Sequence, residues 1–166
     1  MAPATLENPV EPRIVDTQPT PWLLCRAGTV LCALPLGQVV EVMRLLPIET
    51  VAGAVPPVRG LCIIRGAPVP VVDAGSLLGE HAMRAERLVA IRIGERRVAL
   101  AVGSVLGIHR IEAQALHGLP PLLRDAASET IAAIGTLDAQ LMFFLNTARI
   151  VPQPLLEGLA PAGGAA

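Results

Sequence analysis

The sequence predicts an all-β protein built as two small five-stranded β-barrels with short helical segments. Three observations carry this: short apolar segments at even spacing, turn residues between them, and an internal repeat. The apolar segments are Trp22 to Cys25, Thr29 to Leu34, Val39 to Leu45, Val58 to Ile64 and Val69 to Asp73, then Leu88 to Ile93, Arg97 to Val102, Gly107 to Ile111, Ile131 to Leu137 and Leu141 to Asn146. They are rich in Val, Ile and Leu and end at Gly, Pro, Asp or charged pairs, the punctuation expected of strands in small barrels or sandwiches. Helical room is confined to Ala74 to Gly79, Leu122 to Glu129 and a segment after Asn146 running toward Leu156.

The repeat sets the number of units. Arg26 to Leu45 (RAGTVLCALPLGQVVEVMRL) aligns without gaps on Arg92 to Ile111 (RIGERRVALAVGSVLGIHRI), with identities at Arg26/Arg92, Gly28/Gly94, Ala33/Ala99, Leu34/Leu100, Gly37/Gly103, Val39/Val105 and Arg44/Arg110. Val58 to Asp73 matches Ile131 to Asn146 in pattern. Each copy ends in Asp73 or Asn146, side chains suited to cap a following helical turn. A repeat of this length is too long for a solenoid and fits a duplicated small domain of five strands. A lone five-stranded sheet leaves edges open and buries little, so closure and mutual packing are the physically reasonable outcome. The expected organisation is a flexible Pro-rich lead (1–21), a first barrel (22–80), a second barrel (81–146), a further segment (147–157) and a flexible end (158–166).

Composition removes several function classes. Apolar residues make up 52% of the chain and charged ones 16%, which supports a packed core. A formal charge of -1 gives no footprint for a phosphate backbone, and three aromatic residues (Trp22, Phe143, Phe144) supply no stacking platform, so no nucleic acid is expected. Charged residues break every apolar run well short of bilayer thickness, so no direct membrane insertion is expected. The first 21 residues hold five prolines and lack the charged and apolar regions of a secretory signal. Cys25, Cys32 and Cys62 lack C-x-x-C spacing and lie in apolar runs, which reads as buried thiols in a reducing, cytoplasmic setting.

No chemistry-bearing constellation emerges. His81, His109 and His117 are far apart and lack metal-ligand spacing. Ser76, Ser104 and Ser128 lie outside any nucleophile motif, lysine is absent, and the carboxylates show no acid/base pairing. The glycines of V-R-G-L-C-I-I-R-G form no phosphate loop. The reading is of a non-enzyme with no catalytic, metal or cofactor site. What stands out instead is Arg65-Gly66 at a hairpin tip, a planar five-donor side chain on a rigid turn. Glu41 is a charge interrupting V-V-E-V-M, where the second copy carries Gly107. Each is either solvated or partner-facing.

With those residues in view, the chain from Trp22 to Val151 resembles the CheW family of chemotaxis coupling proteins. Ala33 to Met43 (ALPLGQVVEVM) resembles the family's strand, turn and strand with its E-V pair. Val58 to Asp73 resembles its signature G-x-x-N-L-R-G-x-x-x-P-V-x-D, with Arg65, Gly66, Pro70 and Asp73 in place and Ile63 where the family has Asn. Arg97 to Val105 resembles its G-L-V-V-D-x-V segment, with Gly103 in place of Asp, and Leu141 to Asn146 its closing strand. The resemblance implies two SH3-like five-stranded barrels, the last helical segment (147–157) packing back on the first barrel, and no catalysis. It implies binding to the regulatory domain of a CheA-type histidine kinase and to the cytoplasmic tip of a methyl-accepting chemotaxis receptor, in arrays at the inner face of the membrane, with the receptor's helical hairpin in the groove between the barrels. The partner-binding residues it nominates are Val39, Glu41, Ile63, Arg65 and Gly66. The alternatives are a generic SH3-like interaction module in another two-component pathway, and a small-molecule sensor or enzyme using the groove.

Overall fold

The computed structural model describes residues 18–81, 83–127 and 130–150. Among these residues ten strands form, one for each apolar segment: β1 (Thr20–Ala27), β2 (Val30–Pro35), β3 (Val39–Arg44), β4 (Val58–Ile64), β5 (Ala67–Asp73), β6 (Arg87–Ile93), β7 (Arg96–Val102), β8 (Ser104–Ile111), β9 (Ile131–Leu137) and β10 (Gln140–Leu145). Two short helices accompany them, α1 (Ala74–Leu77) and α2 (Pro121–Ala127). The expected caps are present: Asp73 accepts from the Ser76 N–H at 3.0 Å and Asn146 from the Ala148 N–H at 3.2 Å.

The duplication is repeated in hydrogen-bond register. Arg26 pairs with Leu31 and Arg92 with Arg97; Trp22 pairs with His109 and Leu88 with Met43; Ala33 pairs with Phe144 and Ala99 with Val71. Even the bulges repeat, at Val39/Glu41 in β3 and opposite Leu24/Cys25 in β8.

The pairing corrects the division at residue 80. One five-stranded sheet runs β8-β1-β2-β10-β9 and the other β3-β6-β7-β5-β4. Each takes the first hairpin of one copy and the last three strands of the other. The chain leaves β2 through a 3-10 turn, Leu36–Gln38, and passes into the other sheet as β3; Gly103 alone makes the return crossing from β7 to β8, its N–H donating to the Arg26 carbonyl at 2.8 Å. The stretches 22–80 and 81–146 are therefore interleaved rather than stacked as separate units.

The exchange places a shared apolar layer between the sheets. Leu23, Cys25, Cys32 and Leu34 of the first sheet meet Val72, Val89, Ile91, Val98, Leu100 and Val102 of the second there. The alternate residues turn to each sheet's own core: Leu24, Leu31, Ala33, Met142 and Phe144 in the first, Cys62, Val69, Val71, Leu88, Ala90, Ala99 and Ala101 in the second. Burial on both faces explains why VLCAL and VALAV are continuously apolar instead of alternating. In the first sheet's own core Trp22 meets Phe144 edge-on, with ring centroids 4.8 Å apart.

The SH3-like units are open sheets, which corrects the expectation of closed barrels. Among the described residues the end strands β8 and β9 share no ladder, nor do β3 and β4. Isolated bridges help the margins, Glu49 to Leu61 beside β4 and His117 to Ile134 beside β9. After β10 the described part of the returning segment ends with Ile150 fully buried in the shared layer, and the buried Thr147 donates its hydroxyl to the Gln38 side-chain carbonyl. That segment thus packs against elements of both sheets. The expectations for residues 1–17, 151–157 and 158–166 lie outside the described residues.

Candidate protein-interaction site

Glu41 owes its position to a bulge. Val39 pairs with Ile91 of the shared layer, whereas Glu41 pairs with Ala90, whose side chain belongs to the second sheet's own core. Simple alternation would put residues two apart on the same face; the register shift between them re-aims Glu41 to the opposite one. Val39 stays packed against the shared layer, while Val40 and Val42 are exposed.

Arg65 comes from the other end of the sheet order. The two-residue turn Arg65-Gly66 joins β4 to β5 with Ile64 opposite Ala67, and both turn residues have positive φ, 51° and 84°. This is the type I′ pattern that suits the twist of a hairpin. Glycine meets the requirement at no cost, but arginine in this region is strained by about 1 kcal/mol. The second copy bears the same conformation at Asp138 and Ala139.

Glu41 and Arg65, 24 residues apart and on opposite sides of a sheet gap, form a two-pronged ion pair. Arg65 Nε donates to Glu41 Oε2 at 2.7 Å and Arg65 Nη2 to Glu41 Oε1 at 2.9 Å. The side chains are 24% exposed for Glu41 and 72% for Arg65, so the pair sits at the surface with the carboxylate inward. The fork–carboxylate match gives it direction as well as attraction. The Arg65 hydrogen bond, assisted by its charge and that of Arg97, holds the Glu41 carboxyl below the usual carboxylate range.

Beside this pair Ile63 is 61% exposed, its side chain on the face away from the buried Cys62 and Ile64. Gly66 forms the turn and Val39 supports the strand from within. The structure thus joins Glu41 to Arg65, sets Ile63 and Gly66 on the same hairpin, and leaves Val39 half-buried against the shared layer. Val40 and Val42 are exposed neighbours that sequence reasoning passed over, because an apolar residue in the run V-V-E-V-M reads as core.

Other sites are poorly furnished. Among the described residues, apolar side chains of both sheets pack together in the shared layer between them. A hollow of about 220 Å³ opens instead in the first sheet's own core, floored by Met142 and Phe144 and rimmed by Arg110 and Glu112. Among the described residues no three His, Cys, Asp or Glu side chains gather as metal ligands, and no helix is long and apolar enough to cross a membrane.

Comparison with known proteins agrees with this architecture. The family model described as "CheW-like domain" matches residues 21–154. No curated protein matches in sequence. Among solved structures, the scaffolding protein TtCheW from Thermoanaerobacter tengcongensis superposes with a TM-score of 0.70 at 17% identity, over 81% of this chain and 98% of that one.

Proposed function

The chain belongs to the CheW-like domain family, and on that premise we propose that it is a non-catalytic scaffold coupling methyl-accepting chemoreceptors to the regulatory domain of a CheA-type histidine kinase. The observation that carries the reading is the Glu41–Arg65 pair, a rigid charged anchor at an open sheet end beside exposed Ile63, Val40 and Val42. Interfaces join apolar contact area to a few oriented charges, and arginine is enriched among the residues that dominate binding. The scaffold acts by geometry: receptor and kinase held in one array allow receptor state to bias kinase activity. Recruitment to the inner face of the membrane follows from the receptor contact.

The test is calorimetric titration of the full chain with the regulatory domain of a CheA-type kinase from the same organism, with Arg65→Ala and Glu41→Ala alongside. Saturable 1:1 binding weakened by either substitution supports the coupling role and places the pair at the kinase contact. Absence of binding by folded protein would reject it in favour of a generic interaction module.

A further inference from the structure

The end of the second sheet that bears the Glu41–Arg65 pair carries a charge arrangement the fold does not need. Arg92 and Arg97 stand directly opposite each other on β6 and β7. Like charges at opposed positions of an antiparallel pair destabilise the sheet. The first copy shows the ladder closing without them, since Arg26 there faces Leu31 and also donates to the Gln140 side chain at 3.3 Å. Arg92 is exposed and has no hydrogen-bond or ion-pair partner among the described residues. Arg97 lies close enough to Glu41 to act on its charge. With Arg65 and Arg96 this end holds four arginines against Glu41 and Glu95, in a chain whose formal charge is -1.

We propose that Arg92 and Arg97, beside Arg65, form a docking surface for an acidic protein segment that presents at least two carboxylates. This inference deepens the coupling function and rests on its reading of this end of the sheet as partner-facing. The chemistry is displayed within the molecule: Arg65 already holds the Glu41 carboxylate in a two-pronged fork. A planar guanidinium favours that geometry over a point-charge contact. Arg92, without a partner among the described residues, and the neighbouring Arg97 offer the same chemistry to a carboxylate from outside. The opposed pair is costly when free and relieved when an anion lies across it, so the repulsion becomes selectivity for an acidic partner.

The test has three readouts on the full chain. First, Arg92→Glu should leave the melting temperature unchanged or raise it, because it turns the opposed pair into one of opposite charge; a clear fall would make Arg92 structural and overturn the proposal. Second, a hexaglutamate peptide titrated at low salt should shift the arginine Nε–H resonances of residues 65, 92 and 97. Hexalysine should not, and the double variant Arg92→Glu/Arg97→Gln should abolish the response; shifts spread over all arginines, or none, would overturn the proposal. Third, the same double variant should weaken binding to the kinase regulatory domain by about tenfold and flatten its salt dependence. Equal binding by wild type and variant would reject the docking surface while leaving the coupling function standing. Hexaglutamate binding without kinase binding would reject the coupling function and leave the surface standing.

Discussion

Leu34 and Leu100 are repeat mates, each fully buried and each pointing into the layer shared by the two sheets. Truncating either to alanine removes the same group from the same layer, although one residue lies in the first sheet and the other in the second. Leucine-to-alanine changes at fully buried sites cost about 3 to 4 kcal/mol, from lost transfer energy together with the residual cavity. For a domain of this size that is a fall of about 6 to 16 °C in midpoint. The two variants should fall by similar amounts and melt in one transition. The decisive probe is Trp22, the single tryptophan, which reports on the first sheet only. In Leu100→Ala its fluorescence midpoint should drop together with the far-ultraviolet circular dichroism midpoint, because the sheets are interleaved and share their core. If Trp22 kept its wild-type midpoint while circular dichroism showed an earlier loss, the second sheet would be melting alone and the shared-layer reasoning would be refuted. Leu106→Ala, at a position 42% exposed, serves as the control and should cost less than about 1 kcal/mol.

Three further outcomes follow from the same structure. Arg65→Ala should lower stability at neutral pH only slightly and raise the Glu41 carboxyl toward its ordinary value, measurable by carbon-detected NMR titration. Because folding depresses the Glu41 pKa, the pair stabilises above the unfolded carboxylate range and that contribution fades as pH falls through the folded value, so wild type and variant should converge in acid; a difference that grows on acidification would contradict the ion pair. Gly60→Ala should destabilise by at least about 2 kcal/mol in urea melts, because φ at Gly60 is 147° and a Cβ would overlap the Glu49 carbonyl, whereas Gly37→Ala, with open space around it, should be tolerated. All three cysteines are free and buried, and burial pushes the Cys32 thiol up to about 12 and raises Cys25 and Cys62 as well. A thiol reagent at neutral pH should therefore leave the folded protein unmodified and label all three on unfolding; rapid labelling of native Cys25 or Cys32 would show that the shared layer opens readily.

Local features of the fold were legible in the sequence because they depend on local chemistry. Strand positions follow from apolar runs and their punctuation, and the caps at Asp73 and Asn146 from side chains that accept backbone N–H bonds. The exchange of strands was not legible. A hairpin such as Trp22 to Leu34 presents the same residues to β10 as it would to β5, because the two copies share one register; similarity between copies cannot say which copy supplies the neighbour. The continuous apolar character of VLCAL and VALAV did carry a signal, burial on both faces, which an independent small barrel with one wet face would not require. At the candidate site, Glu41 and Arg65 each stood out alone, one as a charge in a strand and the other as an arginine on a turn. Their union depends on a one-residue bulge and on a sheet bending its ends together, and neither has a residue signature. Arg92 and Arg97 carry no pattern in the sequence that marks them, because only the strand register sets them face to face.

The crossing of the chain between sheets also has a consequence for synthesis. β2 finds its parallel neighbour in β10, where Leu31 pairs with Met142. At translation rates of about 5 to 20 residues per second, β2 waits about 5 to 20 seconds after leaving the ribosome before that neighbour exists. During that interval the first hairpin exposes two apolar faces and an open strand edge, the features that invite pairing with another chain. A nascent chain of this topology therefore spends most of its synthesis unable to complete either sheet.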